Sequence, residues 1–473
     1  MASHEAGVLH AVAGSREPAW LREPDDVNAL VPRLWPRHVG RAANGTLHVA
    51  GIGVDEIAAR FGTPAYIIDE DDFRSRAREF KGAFASAFSL LGSGADVFYA
   101  GKAFMNVPIV RWIADEGLGL DVCTGGELAV ALRAGFPPDR IGMHGNNKSE
   151  AELARALDAG VGRIVVDSTV EIDRLSRLAS HRGVRANVMV RVTVGVEAHT
   201  HEYIATAHED QKFGFSLAGG FAAEAVRHVL AEPALSLLGL HSHIGSQIFD
   251  TAAFEVAARR TLGLHAQIRD DHGVELPELD LGGGFGMAYT TQDDPQPPDE
   301  LAAEMAAIVG TDCQTLGVPV PRVSVEPGRA IAGPSTFTLY EVGTVKPVEL
   351  DAGITRTYVA VDGGMSDNIR AALYGADYSC TLASRRSDAP PVLTRVVGKH
   401  CESGDIVVKD EFLPADVRPG DLLAVPGTGA YARSMASTYN HVPRPPVVAV
   451  RDGQPRLIVR RETEDDLLRL DID

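Results

Sequence analysis

The chain has 473 residues, room for roughly two or three domains with cores of their own, so a small scaffold stapled by disulfides or a structural metal is excluded. Hydrophobic residues make up 45% and charged ones 23%, ordinary values for a folded globular chain. With 45 Lys+Arg against 64 Asp+Glu the net charge is −19, which repels nucleic-acid phosphates and anionic membranes but leaves room for one local basic pocket.

Residues 1–40 are rich in Ala, Pro, Arg and Glu without a sustained period and are expected to form a loosely ordered extension. They show no apolar signal-peptide core, no later stretch is long and apolar enough to span a membrane, and Cys123, Cys313, Cys380 and Cys401 form no C-x-x-C pair. A reducing, cytoplasmic setting is the simplest expectation. Within residues 41–69, Thr46–Ala50 and Ala65–Asp69 read as strands around a short helix.

From residue 70 to about 335 a rhythm takes over. Short apolar runs end in polar or glycine-bearing loops, each followed by a helix-like segment: Val97–Lys102, Leu118–Val122, Arg140–His144, Arg163–Asp167, Asn187–Arg191, Leu237–His241, Glu278–Gly282 and Arg322–Glu326. Eight alternating units predict an α/β fold with a parallel sheet closed as a (β/α)8 TIM barrel, a doubly wound open sheet being the rival. Lys102, Asp121, His144, Asp167, Arg191, His243 and Glu326 fall at strand C-termini, where such barrels place their chemistry. Residues 336–473 switch to β-rich runs divided by Gly, Pro and Asp: Phe337–Val348, Thr357–Val361, Val392–Val397, Asp405–Lys409, Asp421–Val425, Val447–Val450 and Leu457–Val459. They predict a C-terminal all-β domain, a β-barrel or sandwich, that also takes in the strands of residues 41–69.

Several residues carry chemistry on position alone. Lys102 ends an apolar strand, where desolvation would make it an amine nucleophile; the alternative is a lysine that snorkels to solvent. Gly282-Gly-Gly284 after the seventh strand offers clustered N–H groups for a phosphate, or only a tight turn. His241 and His243 would share one face if their strand continued, as a metal pair requires, and His199 and His201 repeat the spacing beside Glu197 and Glu202; a metal-dependent barrel hydrolase is therefore a rival, lacking evident further ligands. Glu326-Pro-Gly-Arg329 closes the eighth strand either as a salt-bridged turn or with the carboxylate aimed inward and the guanidinium at an anion.

Together the motifs resemble one family. Phe98-Tyr-Ala-Gly-Lys102, Asp121-Val-Cys-Thr-Gly-Gly-Glu127, His144-Gly-Asn-Asn-Lys148, His241-Ser-His-Ile-Gly-Ser-Gln247, Gly282-Gly-Gly284, Glu326-Pro-Gly-Arg329, Met365-Ser-Asp-Asn-Ile-Arg370, Cys401-Glu-Ser-Gly-Asp405 and Gly429-Ala-Tyr431 are similar in kind and order to the diaminopimelate decarboxylases, pyridoxal-phosphate enzymes of the alanine-racemase-like fold type. The resemblance runs from about residue 45 to 460 and implies decarboxylation of meso-2,6-diaminopimelate to L-lysine and CO2. It makes Lys102 the residue that holds pyridoxal phosphate as a Schiff base, Glu326 the carboxylate facing the pyridine nitrogen, and His243 the imidazole stacked on the ring. Ser246, Gly282, Gly283, Gly284, Pro327, Gly328, Arg329 and Tyr431 would surround the cofactor and its phosphate. Arg329, Arg370, Tyr374 and Tyr431 would bind substrate, Arg329, Arg370 and Tyr374 at its distal carboxylate, with Glu402 as partner of the distal ammonium. Cys401 would be the acid that protonates the carbanion, contributed with Glu402 by the other subunit of a homodimer. No resident metal is implied. Phe104, Thr124 and Ala371 depart from the commonest family pattern without removing a functional group, and the Glu197–Gly214 loop is longer than in many members. An arginine- or ornithine-type decarboxylase on the same scaffold, and a non-catalytic relative, are the remaining alternatives.

Overall fold

The computed structural model describes residues 17–195, 212–350 and 355–472, so His199, His201, Glu197 and Glu202 lie outside the described residues. The chain divides into two compact units, one of residues 74–286 and 295–330, the other of 1–73, 287–294 and 331–473.

The first unit is a closed barrel of eight parallel strands among the described residues: Ala95–Ala100, Gly119–Val122, Ile141–Met143, Arg163–Val166, Ala186–Thr193, Leu235–His241, Glu278–Asp280 and Arg322–Val325. Each pairs with the next, and the last returns to the first through Val323↔Ala95 to Val325↔Val97. All eight expected strands are present, and the open-sheet alternative is excluded by that closure. Helix boundaries follow local chemistry. Asn106, Thr124, Ser149 and Ser168 each cap a helix by accepting a backbone N–H, Ser149 in a reciprocal box with Glu152. Gly135, Gly160 and Gly183 end three of those helices in the left-handed conformation, which lacks the Cβ penalty.

The second unit is β-rich. Its main sheet runs in the spatial order Ile406–Pro414, Pro391–Val397, Thr355–Val361, Thr336–Glu349, Ala65–Asp69, Val447–Arg451, Gln454–Val459. The long strand Thr336–Glu349 organises it: its first half pairs with Ala65–Asp69 and Leu422–Pro426, its second half with Thr355–Val361. The early strand thus joins the β domain as expected, with Ile67, Phe337, Leu339 and Val448 in one core. Two details differ from the sequence reading. Residues 17–40 are not loose, since Leu21, Leu34 and Trp35 are buried; their apolar residues lack a period because they pack as single anchors. Residues 287–294, read as barrel, belong to the β unit, where Met287 and Tyr289 pack with Tyr340 and Tyr378.

One barrel helix carries a pH liability. His265, in the helix Ala252–His272, is 6% exposed and its Nε2 has no hydrogen-bond partner among the described residues. Burial alone lowers its pKa from 6.5 to about 4. The folded imidazole therefore stays neutral while the unfolded one takes up a proton. Its contribution is intact above the unfolded value and is lost as pH falls from 6.5 towards 4. Between pH 7 and 5 the wild type should lose about 2 kcal/mol more than His265→Leu in urea unfolding. Parallel declines in the two proteins would remove His265 as the cause.

Candidate active site

In the barrel unit, Lys102 sits on the turn Gly101–Ala103 directly after the first strand. That turn lies tight against the neighbouring strand, for a Cβ on Gly101 would come 2.8 Å from the Asp121 carbonyl oxygen. Lys102 is exposed within the single chain, matching the alternative in which its side chain reaches solvent. Its charge still acts on Asp121, Cys123, Glu127, His243 and Glu326, lowering each of their pKa values against the burial that dominates four of them upwards.

Glu326 follows the eighth strand and is 7% exposed. Burial first, then the nearby Asp121, raise its pKa, opposed by His144, Lys102 and Arg163. Its Oε1 lies 3.0 Å from His241 Nε2 in a hydrogen bond and 3.5 Å from His144 Nε2. Arg329, three positions on, has another partner: its Nη2 donates to Ser246 Oγ at 2.9 Å and its Nε to the same oxygen at 3.3 Å. The carboxylate and the guanidinium thus have different partners, and the two do not pair as a salt-bridged turn among the described residues. A Cβ on Gly328 would meet the Ala100 carbonyl oxygen at 2.9 Å, so only glycine lets the turn seat against the first strand.

The glycine run does something other than expected. The Gly282 N–H donates to Asp280 Oδ1 at 2.8 Å and the Gly283 N–H to His243 Nδ1 at 3.2 Å. Two amides expected to cradle a phosphate are therefore engaged with the site's own side chains. The run needs glycine for approach: a Cβ on Gly283 would stand 2.2 Å from the Glu326 carbonyl oxygen, and one on Gly284 2.6 Å from that of Gly245. Gly282 and Gly284 also have φ of 70° and 112°. Because His243 Nδ1 accepts, its ring proton belongs on Nε2. Burial, then Lys102 and Arg191, push its pKa well down, so the ring is neutral.

The two histidines read as a metal pair separate. The strand ends at His241, and beyond it the backbone leaves β geometry, reaching φ 63° at Gln247. His241 is 1% exposed with Glu326 and His144, while His243 meets the glycine run. The ligand atoms of His144, His241 and Glu326 do lie within 4.8 Å of one another, close enough for one ion, but His243 is not among them.

Sequence reasoning missed the floor beneath this site. TIM-barrel interiors are mostly branched aliphatic side chains. Here Arg163 donates to Asp280 Oδ2 at 2.6 Å and to Ser324 Oγ at 3.0 Å, and its guanidinium lies 3.9 Å from the Phe98 ring centroid. His144 Nε2 stands 3.1 Å from Asp121 Oδ1. The available signal was the unpaired charges inside short apolar strands, at Arg163 and Asp280.

In the β unit, Arg370 and Tyr374 lie on the short helix Arg370–Tyr374. Arg370 is 6% exposed, donates Nη1 to Tyr378 Oη at 2.7 Å, and lies 4.6 Å from the Tyr289 ring centroid. Its Nε has no hydrogen-bond partner among the described residues. Tyr431 acts on Arg370 electrostatically and sits at φ 60°, a strained position for a tyrosine. Cys401 is exposed and Glu402 half-buried. Their loop is tied to the segment before Arg370: Asp405 accepts from Met365 N at 2.6 Å and His400 N at 2.7 Å, and His400 Nε2 is 2.8 Å from Ser366 Oγ.

A lysine-bearing barrel mouth above a buried carboxylate, with a glycine run beside it, defines the class: the chain belongs to the pyridoxal-dependent decarboxylases, whose pyridoxal binding domain matches residues 70–333. Within that class its relatives are the diaminopimelate decarboxylases. It is 58% identical to that of Mycobacterium tuberculosis over 94% of this chain and 98% of the relative, and 46% identical to that of Bacillus subtilis over 91% and 96%. Among solved structures, diaminopimelate decarboxylase from M. jannaschii in complex with L-lysine superposes with a TM-score of 0.85 at 30% identity, over 92% of this chain and 98% of that one. Among the described residues no helix is long and apolar enough to cross a membrane.

Proposed function

We propose that this chain decarboxylates meso-2,6-diaminopimelate to L-lysine and CO2 in the cytoplasm, as a homodimer whose subunits share active sites. The observation that carries the substrate assignment is Arg370, a buried guanidinium with an unpartnered Nε and no carboxylate ion pair among the described residues. A diacid brings the missing anion to it, whereas the second cation of ornithine or arginine would be repelled.

The residues fit pyridoxal phosphate. Ser246 Oγ accepts from Arg329, which leaves its own proton to donate to a phosphate oxygen. Gly282, Gly283, Gly284, Pro327 and Gly328 would hold it, with a hydroxyl from Tyr431 as the family resemblance implies. When bound, the pyridoxal ring withdraws the electron pair left as CO2 departs. Glu326 would keep a proton on the ring nitrogen, and His243, neutral because burial pushes its pKa well down, would add no second charge to the site. Lys102 Nζ would hold the cofactor. Arg329, Tyr374 and Tyr431 line the substrate, Glu402 takes its distal ammonium, and Cys401 Sγ delivers the proton that replaces CO2 on the α-carbon.

Purified protein incubated with meso-diaminopimelate should release lysine and CO2 in equal amounts, and little product with ornithine or arginine in parallel. Faster turnover of ornithine would overturn the substrate reading. Borohydride reduction followed by peptide mapping should place the pyridoxyl adduct on Lys102, and an adduct on another lysine would reassign the anchor.

A further inference from the structure

His241 is 1% exposed and carries none of the roles assigned above. It closes the strand Leu235–His241, in register with Asp280 on one neighbour and Arg191 on the other. Its ring meets that of His144 edge to face at a centroid distance of 5.1 Å. We infer that His241 is a positioning residue for the reaction, whose Nε2–H donates to Glu326 and holds that carboxylate in place and in its charged form. The inference rests on the reading that Glu326 serves the cofactor's ring nitrogen.

The tautomer follows from the surroundings. Burial leads, and with help from His144, Arg191 and Arg163 lowers the His241 pKa well below its ordinary value against the pull of Asp280. The ring is therefore neutral and has one N–H to give. Its Nδ1 has no partner among the described residues, while Nε2 lies 3.0 Å from Glu326 Oε1, so the proton sits on Nε2. Glu326 needs this donor. It shares the barrel interior with the carboxyl groups of Asp121 and Asp280, both buried, and burial and Asp121 drive it towards its protonated form. A hydrogen bond donated to the charged form opposes that drift. A protonated Glu326 would no longer hold a proton on the ring nitrogen. Arg163 is a cation of the floor, but it donates to Asp280 and Ser324. His144 Nε2, at 3.5 Å from Glu326 and 3.1 Å from Asp121, is the second imidazole within reach.

The test uses the holoenzyme and two substitutions at one position. In His241→Gln the amide nitrogen reaches about as far as Nε2 and keeps a donor; in His241→Leu the bulk stays and the donor goes. The Leu variant should lose about tenfold in kcat at little-changed KM, show an altered visible absorption of its bound pyridoxal phosphate, and release cofactor faster on dialysis. The Gln variant should keep the wild-type spectrum and most of kcat. Adding His241→Leu to Glu326→Gln should cost little beyond Glu326→Gln alone, because the histidine acts through that carboxylate. Leu and Gln variants equally impaired, or a Leu variant with wild-type spectrum and kcat, would overturn the inference. Should the Leu variant fail to fold, as judged by Tm, the Gln variant decides: a wild-type spectrum supports the donor role and an altered one rejects it. A Glu326→Gln enzyme with unchanged spectrum and kcat would instead overturn the reading of Glu326 itself, so the two failures are told apart.

Discussion

Arg370→Ala should lower kcat/KM for meso-diaminopimelate by about tenfold to a hundredfold while pyridoxal phosphate stays bound in full. The substitution removes a charge-assisted, fork-shaped contact from a place with little water to replace it, since the guanidinium is 6% exposed. Burial works against that cation, but Tyr289, Tyr378 and Tyr431 more than offset it, and its pKa is raised. The site is thus arranged to keep a positive charge where no carboxylate of the described residues pairs with it. Arg370→Lys should fall between, retaining the charge without the planar fork. Steady-state kinetics alongside cofactor absorbance decide the matter: an unchanged kcat/KM for the Ala variant would eliminate Arg370 as the reader of the distal carboxylate. A loss of cofactor together with activity would make Arg370 a structural residue of the β unit.

The parts of this molecule legible in its sequence are those governed by short-range rules. Barrel strands announce themselves as apolar runs, each followed by a helix-like segment; the caps that bound those helices in the structure, Asn106, Thr124, Ser149 and Ser168 at the starts and Gly135, Gly160 and Gly183 at the ends, are equally local chemistry. What was not legible depends on where a regular element stops. Two-residue spacing puts His241 and His243 on one face only while the strand lasts; the strand ends at His241, and the two rings part. The polar barrel floor was hidden for a related reason. Arg163 opens one apolar run and Asp280 sits in the middle of another, yet they meet each other across the barrel interior from positions 117 apart in the chain. Gly282 and Gly283 belong to the run the sequence singles out, but which acceptor takes each N–H is a tertiary fact that no spacing contains. Trp35 was lost to the same limit: a lone anchor has no period.

The largest effect is expected from pairing two inactive proteins. Lys102→Ala removes the cofactor anchor and Cys401→Ala the proposed acid, so each variant alone should be nearly inactive. The two residues lie in different compact units of the chain, Lys102 in the barrel and Cys401 in the β unit, on an exposed loop. If Cys401 and Glu402 serve the partner's barrel, a dimer of one variant with the other has one site carrying both lesions and one carrying neither. Equal amounts re-paired at random give mixed dimers for about half the population, each with one intact site, so activity should recover to about a quarter of wild type. Mass-tagged subunits establish that exchange has occurred, which separates a tight dimer that never re-paired from a site built within one chain. With exchange established, no recovery would mean either that Lys102 and Cys401 act in the same site from one chain or that Cys401 is not the acid. Cys401→Ala alone distinguishes these: near-wild-type turnover removes Cys401 from the chemistry, and near-inactivity places the whole site in a single subunit.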